Sequence, residues 1–105
     1  LFIMVMTNKN KFNKKYKQKL DQPNSKADMV KLTGIPKRLL DKVYYRGIGA
    51  YKTNRASVRP SVKSKEQWAT ARVYSFLMKQ PGTWQKADKD IADEVRKLKI
   101  RGYIR

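Results

Sequence analysis

The stretch from Ser64 to Lys79 has the pattern of one helix whose apolar face covers more than half of its circumference. Ser64 stands three residues before Gln67, which is the S-x-x-Q form of a capping box, and Pro81-Gly82 follows the last turn. Its apolar positions are Trp68, Ala69, Ala71, Val73, Phe76, Leu77 and Met78. So wide an apolar face is typical of a helix that others surround, and we expect this one at the centre of the domain.

Two further amphipathic segments flank this central helix. Pro36 suits a first helical turn and Gly47 a helix end, and the residues between them carry an apolar stripe of Leu39, Leu40, Val43 and Tyr44. The segment after Gly82 has apolar residues at helical spacing, namely Trp84, Ala87, Ile91, Val95 and Leu98. The sequence predicts a mainly α fold: a small three-helix domain over residues 29–105, with a long basic loop between helices 1 and 2, from Gly47 to Ser64.

The N-terminal residues differ in composition from this domain. Residues 7–19 contain six lysines and no acid, and only Phe12 and Tyr16 are aromatic. Burial of so few apolar residues does not offset the conformational entropy lost on ordering. We therefore predict an extended basic arm over residues 1–28 that is disordered when free. Such an arm binds nucleic acid, threads between subunits or only solubilises the chain. Because the sequence begins with Leu1, we expect a processed chain or a start at Met4 or Met6.

The charge balance indicates the class of partner. Twenty-six Lys and Arg face eight Asp and Glu, a net charge of +18, which favours binding to polyanions. Nucleic acid, anionic membrane surfaces and acidic protein faces remain alternatives. The apolar run at the N-terminus is far shorter than the about 20 residues of a membrane span, so we expect none. The predicted contacts lie in the arm and the loop: Lys9, Lys11, Lys14, Lys15, Lys17, Lys19, Arg46, Lys52, Arg55, Arg59 and Lys63.

The residue types present do not indicate catalysis. The chain has no cysteine and no histidine, and we expect no enzyme activity, no cofactor and no metal site. The glycine pair Gly47 and Gly49 lacks the third glycine and the preceding strand of a dinucleotide fingerprint. The acids Asp88, Asp90 and Asp93 lack the spacing of a calcium loop, so we expect a solvated helix face or a docking face for a neighbour's basic segments. We predict structural roles for Gly47, Gly49, Ser64, Trp68, Arg72, Phe76 and Trp84.

Arg72 stands out because it lies within the apolar face of the central helix. A charged group in that position needs a partner when it is buried. A buried ion pair or a contact to a backbone carbonyl is the favoured interpretation, and binding of a ligand is the alternative.

The run R-G-x-G-A-Y, then R-P, then W-x-x-A-R-V-Y-S-F and a later D-x-D covers about residues 34–92. This pattern resembles small basic proteins and domains encoded by tailed phages and large DNA viruses. The matching positions are Arg46, Gly47, Gly49, Ala50, Tyr51, Arg59, Pro60, Trp68, Ala71, Arg72, Val73, Tyr74, Ser75, Phe76, Asp88 and Asp90. The resemblance implies a viral origin and brings no activity with it.

Two functions follow from the basic arm and the viral resemblance. The first is a non-enzymatic virion structural protein, a minor capsid or capsid-associated component in a large hetero-assembly. It would bridge subunits, or capsid and genome, through its arm and loop, and it would be located in the virion after assembly in the host cytoplasm or nucleus. The second is a sequence-non-specific DNA-binding protein of viral origin. The first has capsid or other virion proteins as partners, and both allow nucleic acid.

Overall fold

The computed structural model describes residues 6–53 and 62–104, and this part of the chain is helical with no strand. The described elements are α1 (Asn8–Lys15), α2 (Lys26–Thr33), α3 (Lys37–Thr53), α4 (Lys65–Leu77), a π-helical turn (Thr83–Ala87) and α5 (Lys89–Lys97). The prediction of a mainly α fold is confirmed. The predicted number of three helices is wrong, because two short helices precede the first of them.

Helix α4 lies at the centre of the fold, where α3, α1 and the π-helical turn all pack against it. It begins behind Ser64, whose Oγ accepts a hydrogen bond of 3.1 Å from the Gln67 backbone N–H. The Gln67 Oε1 accepts a hydrogen bond of 2.8 Å from the backbone N–H of Lys63, the residue before Ser64, so the side chain of Gln67 ties the preceding segment to the first turn. Its inner face is buried at Ala69, Val73, Tyr74, Phe76 and Leu77.

The prediction that Gly47 ends a helix is wrong, because α3 continues through Gly47 to Thr53. A Cβ added at Gly47 would lie 2.8 Å from the Ala69 Cα of α4, so the missing side chain allows the two helices to approach closely. The predicted loop is shortened by the same extension of α3. Its cations Arg55 and Arg59 fall within residues 54–61, outside the described residues.

The extended arm predicted over residues 1–28 is wrong where α1 and the start of α2 lie. Each of these helices begins with a reciprocal capping box, Thr7 with Asn10 in α1 and Ser25 with Asp28 in α2. Helix α1 packs against α4, and Phe12 of α1 has no exposed surface. The folded unit therefore includes residues assigned to the arm, and it begins before the predicted boundary at residue 29.

The π-helical turn changes which residues of the last segment face the core. The Asp88 N–H bonds to the carbonyl of Thr83, five residues back, so the turn contains one residue more than an α-turn. As a result Asp88 is buried and Ala87 is exposed, whereas regular α spacing placed Ala87 inside. The core positions Trp84, Ile91 and Val95 are buried as predicted.

Candidate functional site

The first half of the candidate site is α1, a helix held by a buried amide rather than by a wide apolar face. Asn13 is fully buried, and its Nδ2 donates to the carbonyls of Leu20 (2.9 Å) and Gln22 (3.0 Å). Its Oδ1 accepts from Gln18 Nε2 (2.9 Å) and Asn24 Nδ2 (2.8 Å). All four hydrogen-bonding positions of this amide are used, which fixes residues 18–24 against the helix.

Aromatic contacts anchor the same helix to the core. The Phe12 ring lies 4.8 Å from the Tyr16 ring and 5.4 Å from the Tyr74 ring of α4, measured between centroids. The Tyr74 hydroxyl accepts a hydrogen bond of 3.0 Å from Asn24 Nδ2. The pKa of the Tyr74 hydroxyl is raised, chiefly because burial disfavours the ionised form. One side of α1 is therefore fixed, and its lysines occupy defined positions.

The lysines of α1 and the turn after it form what we call the basic surface. Its members are Lys9, Lys11, Lys14, Lys15, Lys17 and Lys19. All but Lys9 are exposed, and none of the six forms an ion pair with an acid among the described residues. Six cations with no carboxylate to balance them give this side of the fold a strong positive potential.

The C-terminal turn lies beside the basic surface. Tyr103 is buried and donates a hydrogen bond of 2.7 Å to the Leu77 carbonyl, while the Lys15 ammonium lies 5.6 Å from the Tyr103 ring centroid. Lys99 and Arg101 precede Tyr103, are exposed and have no ion pair among the described residues. The fold therefore brings cations from both ends of the described chain towards one another.

Arg46 and Arg72 behave differently, because both are engaged by acids of the last segment. Arg72 makes a bidentate pair with Asp88, with Nε to Oδ2 at 3.0 Å and Nη2 to Oδ1 at 2.8 Å. Arg46 Nη1 lies 3.2 Å from Asp88 Oδ1, and Arg46 makes a second bidentate pair with Asp90 at 2.7 and 2.6 Å. Two arginines and two aspartates thus tie α3, α4 and the start of α5 into one network.

A pocket of about 280 Å³ opens beside this network, between α4 and the π-helical turn. It is lined by Trp68, Arg72, Ser75 and Thr83, with Asn8 of α1 at its border. The hydroxyls of Ser75 and Thr83 lie 3.0 Å apart. The Trp68 indole N–H is buried and has no hydrogen-bond partner in the part of the chain that the structure describes.

The described residues contain no group of acids that could hold a metal ion and no helix long and apolar enough to cross a membrane. A family model for DUF5824, a family of unknown function, matches residues 3–97, which is most of the chain and includes every described helix. The chain belongs to the DUF5824 family. No curated protein and no solved structure matched the chain.

In this DUF5824 chain the cations that were predicted as partner contacts have different surroundings. The six arm lysines lie on α1 and the turn after it. Arg46 is held by Asp88 and Asp90, so its charge is matched within the fold. Lys52 is exposed in the last turn of α3 and Lys63 is exposed before α4, on either side of residues 54–61.

Asp88 of this DUF5824 chain lies inside the fold. The predicted solvated helix face, or docking face for a neighbour's basic segments, is wrong for this residue, because its side chain has no exposed surface and holds both arginines. A signal was present, because an arginine on an apolar helix face needs a buried partner, and Asp88 is an acid sixteen residues after Arg72. For Arg72 the structure supplies an ion pair inside the fold.

The stability of the protein at acidic pH should reveal the contribution of the Arg46–Asp90 ion pair, the exposed part of the network. The hydrogen bonds from Arg46 lower the pKa of Asp90 to about 2, against an ordinary value of about 3.9. Since the folded-state pKa is depressed, the stabilisation is fully present above about pH 4 and is lost as the pH falls towards 2. Both side chains are well exposed, so we expect an effect below about 1 kcal/mol. In urea unfolding, Asp90→Asn should be less stable than wild type near neutral pH, and the difference should shrink as the pH falls through 2. A difference that does not change with pH contradicts the pair.

Proposed function

We propose that the chain is a non-enzymatic virion structural protein, a minor capsid or capsid-associated component of a large hetero-assembly. In this role it bridges capsid subunits, or the capsid and the packaged genome. The observation that carries the proposal is the basic surface, six lysines without ion-pair partners among the described residues, which lie on α1 and the turn after it. Phe12 and Asn13 anchor this helix. A rigid array of cations binds a polyanion at a lower entropic cost than a disordered tail does.

The virion setting of the proposal is supported by the resemblance to proteins of tailed phages and large DNA viruses. Residues 54–61, flanked by Lys52 and Lys63, carry Arg55 and Arg59 and are proposed as a second basic contact. Two basic contacts on one small fold suit a protein that bridges two partners, such as a capsid protein and nucleic acid.

Mass spectrometry of purified virions tests this setting. The protein should be present in intact particles and should stay with them after nuclease treatment and washing. Its absence from particles, while it is abundant in lysates of infected cells, would contradict the virion role and leave the basic surface to another function.

The second candidate is a sequence-non-specific DNA-binding protein of viral origin. The observation in its favour is again the basic surface, because lysines that contact phosphates need no base contacts for affinity. If six to ten phosphates are neutralised, the affinity for duplex DNA should fall by about 10³–10⁵ between 50 and 200 mM salt. A mobility-shift assay at the two salt concentrations measures this, and absence of binding at the lower one excludes the second candidate.

A further inference from the structure

The pocket at Trp68 is not isolated, because a second pocket of about 400 Å³ adjoins it along α1. Both are lined by Asn8 and Ala71. The second pocket is also lined by Lys9 and Lys11 of the basic surface and by Tyr74. Together the two form a groove with an apolar, aromatic end at Trp68 and a cationic end at the lysines.

The Trp68 end suits an uncharged planar group better than an anion. Arg72 borders this end, but its charge is already matched by Asp88 in a bidentate pair. The buried indole N–H of Trp68 lacks an acceptor within the described ranges, and the Ser75 and Thr83 hydroxyls add polar groups to an otherwise apolar lining. The volume of about 280 Å³ is just below that of most small-molecule pockets, which run from about 300 to 1,000 Å³.

The lysine end supplies the opposite chemistry. Lys9 and Lys11 have no ion pair among residues 6–53 and 62–104, and an anionic group on a ligand would balance their charge. A ligand that places an uncharged heterocycle beside a phosphate has this combination of groups. Unpaired nucleotides offer both groups. A duplex offers only its phosphates, because its bases are stacked and paired.

We propose that the groove binds single-stranded nucleic acid, with one base in the Trp68 pocket and its phosphate over Lys9 and Lys11. The inference rests on the proposed function, in which the basic surface contacts a polyanion, and it names the class of that polyanion. The Trp68 ring provides a surface on which the base stacks.

Fluorescence anisotropy of the full chain with labelled oligothymidylate and with an abasic oligomer of equal length tests the inference without any substitution. Both oligomers carry the same phosphates and only one carries bases. We expect the base-bearing oligomer to bind about ten- to a hundred-fold more tightly. Equal affinities with a steep salt dependence would overturn the base pocket and leave the proposed function intact. Absence of binding by both would overturn the inference and exclude nucleic acid as the partner of the basic surface, while the virion role is tested separately by the composition of purified particles.

Variants locate the effect at the pocket. Trp68→Ala should remove the preference for bases, and Trp68→Phe, which keeps an aromatic ring and lacks the N–H, should retain part of it. Tyr45→Ala is the matched control, because Tyr45 is an exposed aromatic residue that lines a different pocket. Loss of the preference in the control variant, or its full retention in Trp68→Ala, would contradict the site.

Discussion

Replacement of Asp88 by asparagine should lower the free energy of unfolding by about 3 kcal/mol. The substitution keeps the shape of the side chain but removes the charge that balances Arg72 and Arg46, and an uncompensated buried cation costs about 3–5 kcal/mol. We expect the lower end of this range because Arg72 is 17% exposed and water reaches part of it. For a domain of this size the melting temperature, followed by circular dichroism, should fall by more than about 10 °C.

Two controls distinguish the buried pair from a general effect of charge. Asp90→Asn removes a carboxylate that is 66% exposed from the same network, and it should cost less than about 1 kcal/mol. Arg72→Met together with Asp88→Asn should cost less than the sum of the single changes, because the two residues are in contact. Additive losses, or a neutral Asp88→Asn, would show that the pair does not stabilise the fold.

The second large effect is expected at Gly47, where α3 crosses α4. Gly47→Ala places a methyl group 2.8 Å from the Ala69 Cα and 3.1 Å from its Cβ, so a backbone must shift. Overpacking of this kind costs about 1–3 kcal/mol, which exceeds the about 0.5–1 kcal/mol that alanine gains over glycine inside a helix. The melting temperature should therefore fall by several degrees, and a larger side chain such as valine should prevent folding.

Gly49 provides a matched control in the same helix. A Cβ at Gly49 would meet nothing within 4 Å, so Gly49→Ala should stabilise the protein by about 0.5–1 kcal/mol through helix propensity alone. The two substitutions are chemically identical and lie two residues apart, yet their expected effects have opposite signs. If both stabilise, the close approach of α3 and α4 is wrong.

Those parts of the fold that depend on local signals could be predicted from the sequence. Ser64 and Gln67 are three residues apart, so the start of α4 is decided within one turn. The same local logic failed at Gly47, because a glycine that ends a helix and a glycine that lets another helix approach look alike until the partner is known. Ala69, which makes the difference, is twenty-two residues away.

The ordering of α1 could not be predicted, because only a few of its residues are apolar and a buried polar network supplies the remaining contacts. Asn13 is polar and was counted against folding, yet its four hydrogen bonds organise residues 18–24. Asp88 was misplaced for a related reason, since a π-helical turn shifts the register of the helix by one residue and α spacing does not anticipate it. Buried polar networks and helix defects depend on tertiary contacts. The spacing of apolar residues in the sequence predicts only which apolar side chains are buried.

In the candidate site, too, local features could be predicted from the sequence and tertiary contacts could not. The density of the six lysines was evident from the sequence, and their placement on an ordered helix and the turn after it was not. The Trp68 pocket needs the approach of Asn8 from α1 and Thr83 from the π-helical turn, and both contacts join distant parts of the sequence.

The salt dependence of nucleic-acid binding by a lysine variant tests the basic surface most directly. Each phosphate contact adds about 0.9 to the slope of log affinity against log salt for duplex DNA. The triple substitution Lys11→Gln, Lys14→Gln and Lys15→Gln should therefore reduce the slope by nearly three. A control that neutralises Lys31, Arg38 and Lys97, exposed cations on α2, α3 and α5, should leave the slope close to that of wild type. Equal slopes for the α1 variant and wild type would contradict the assignment of polyanion binding to this surface.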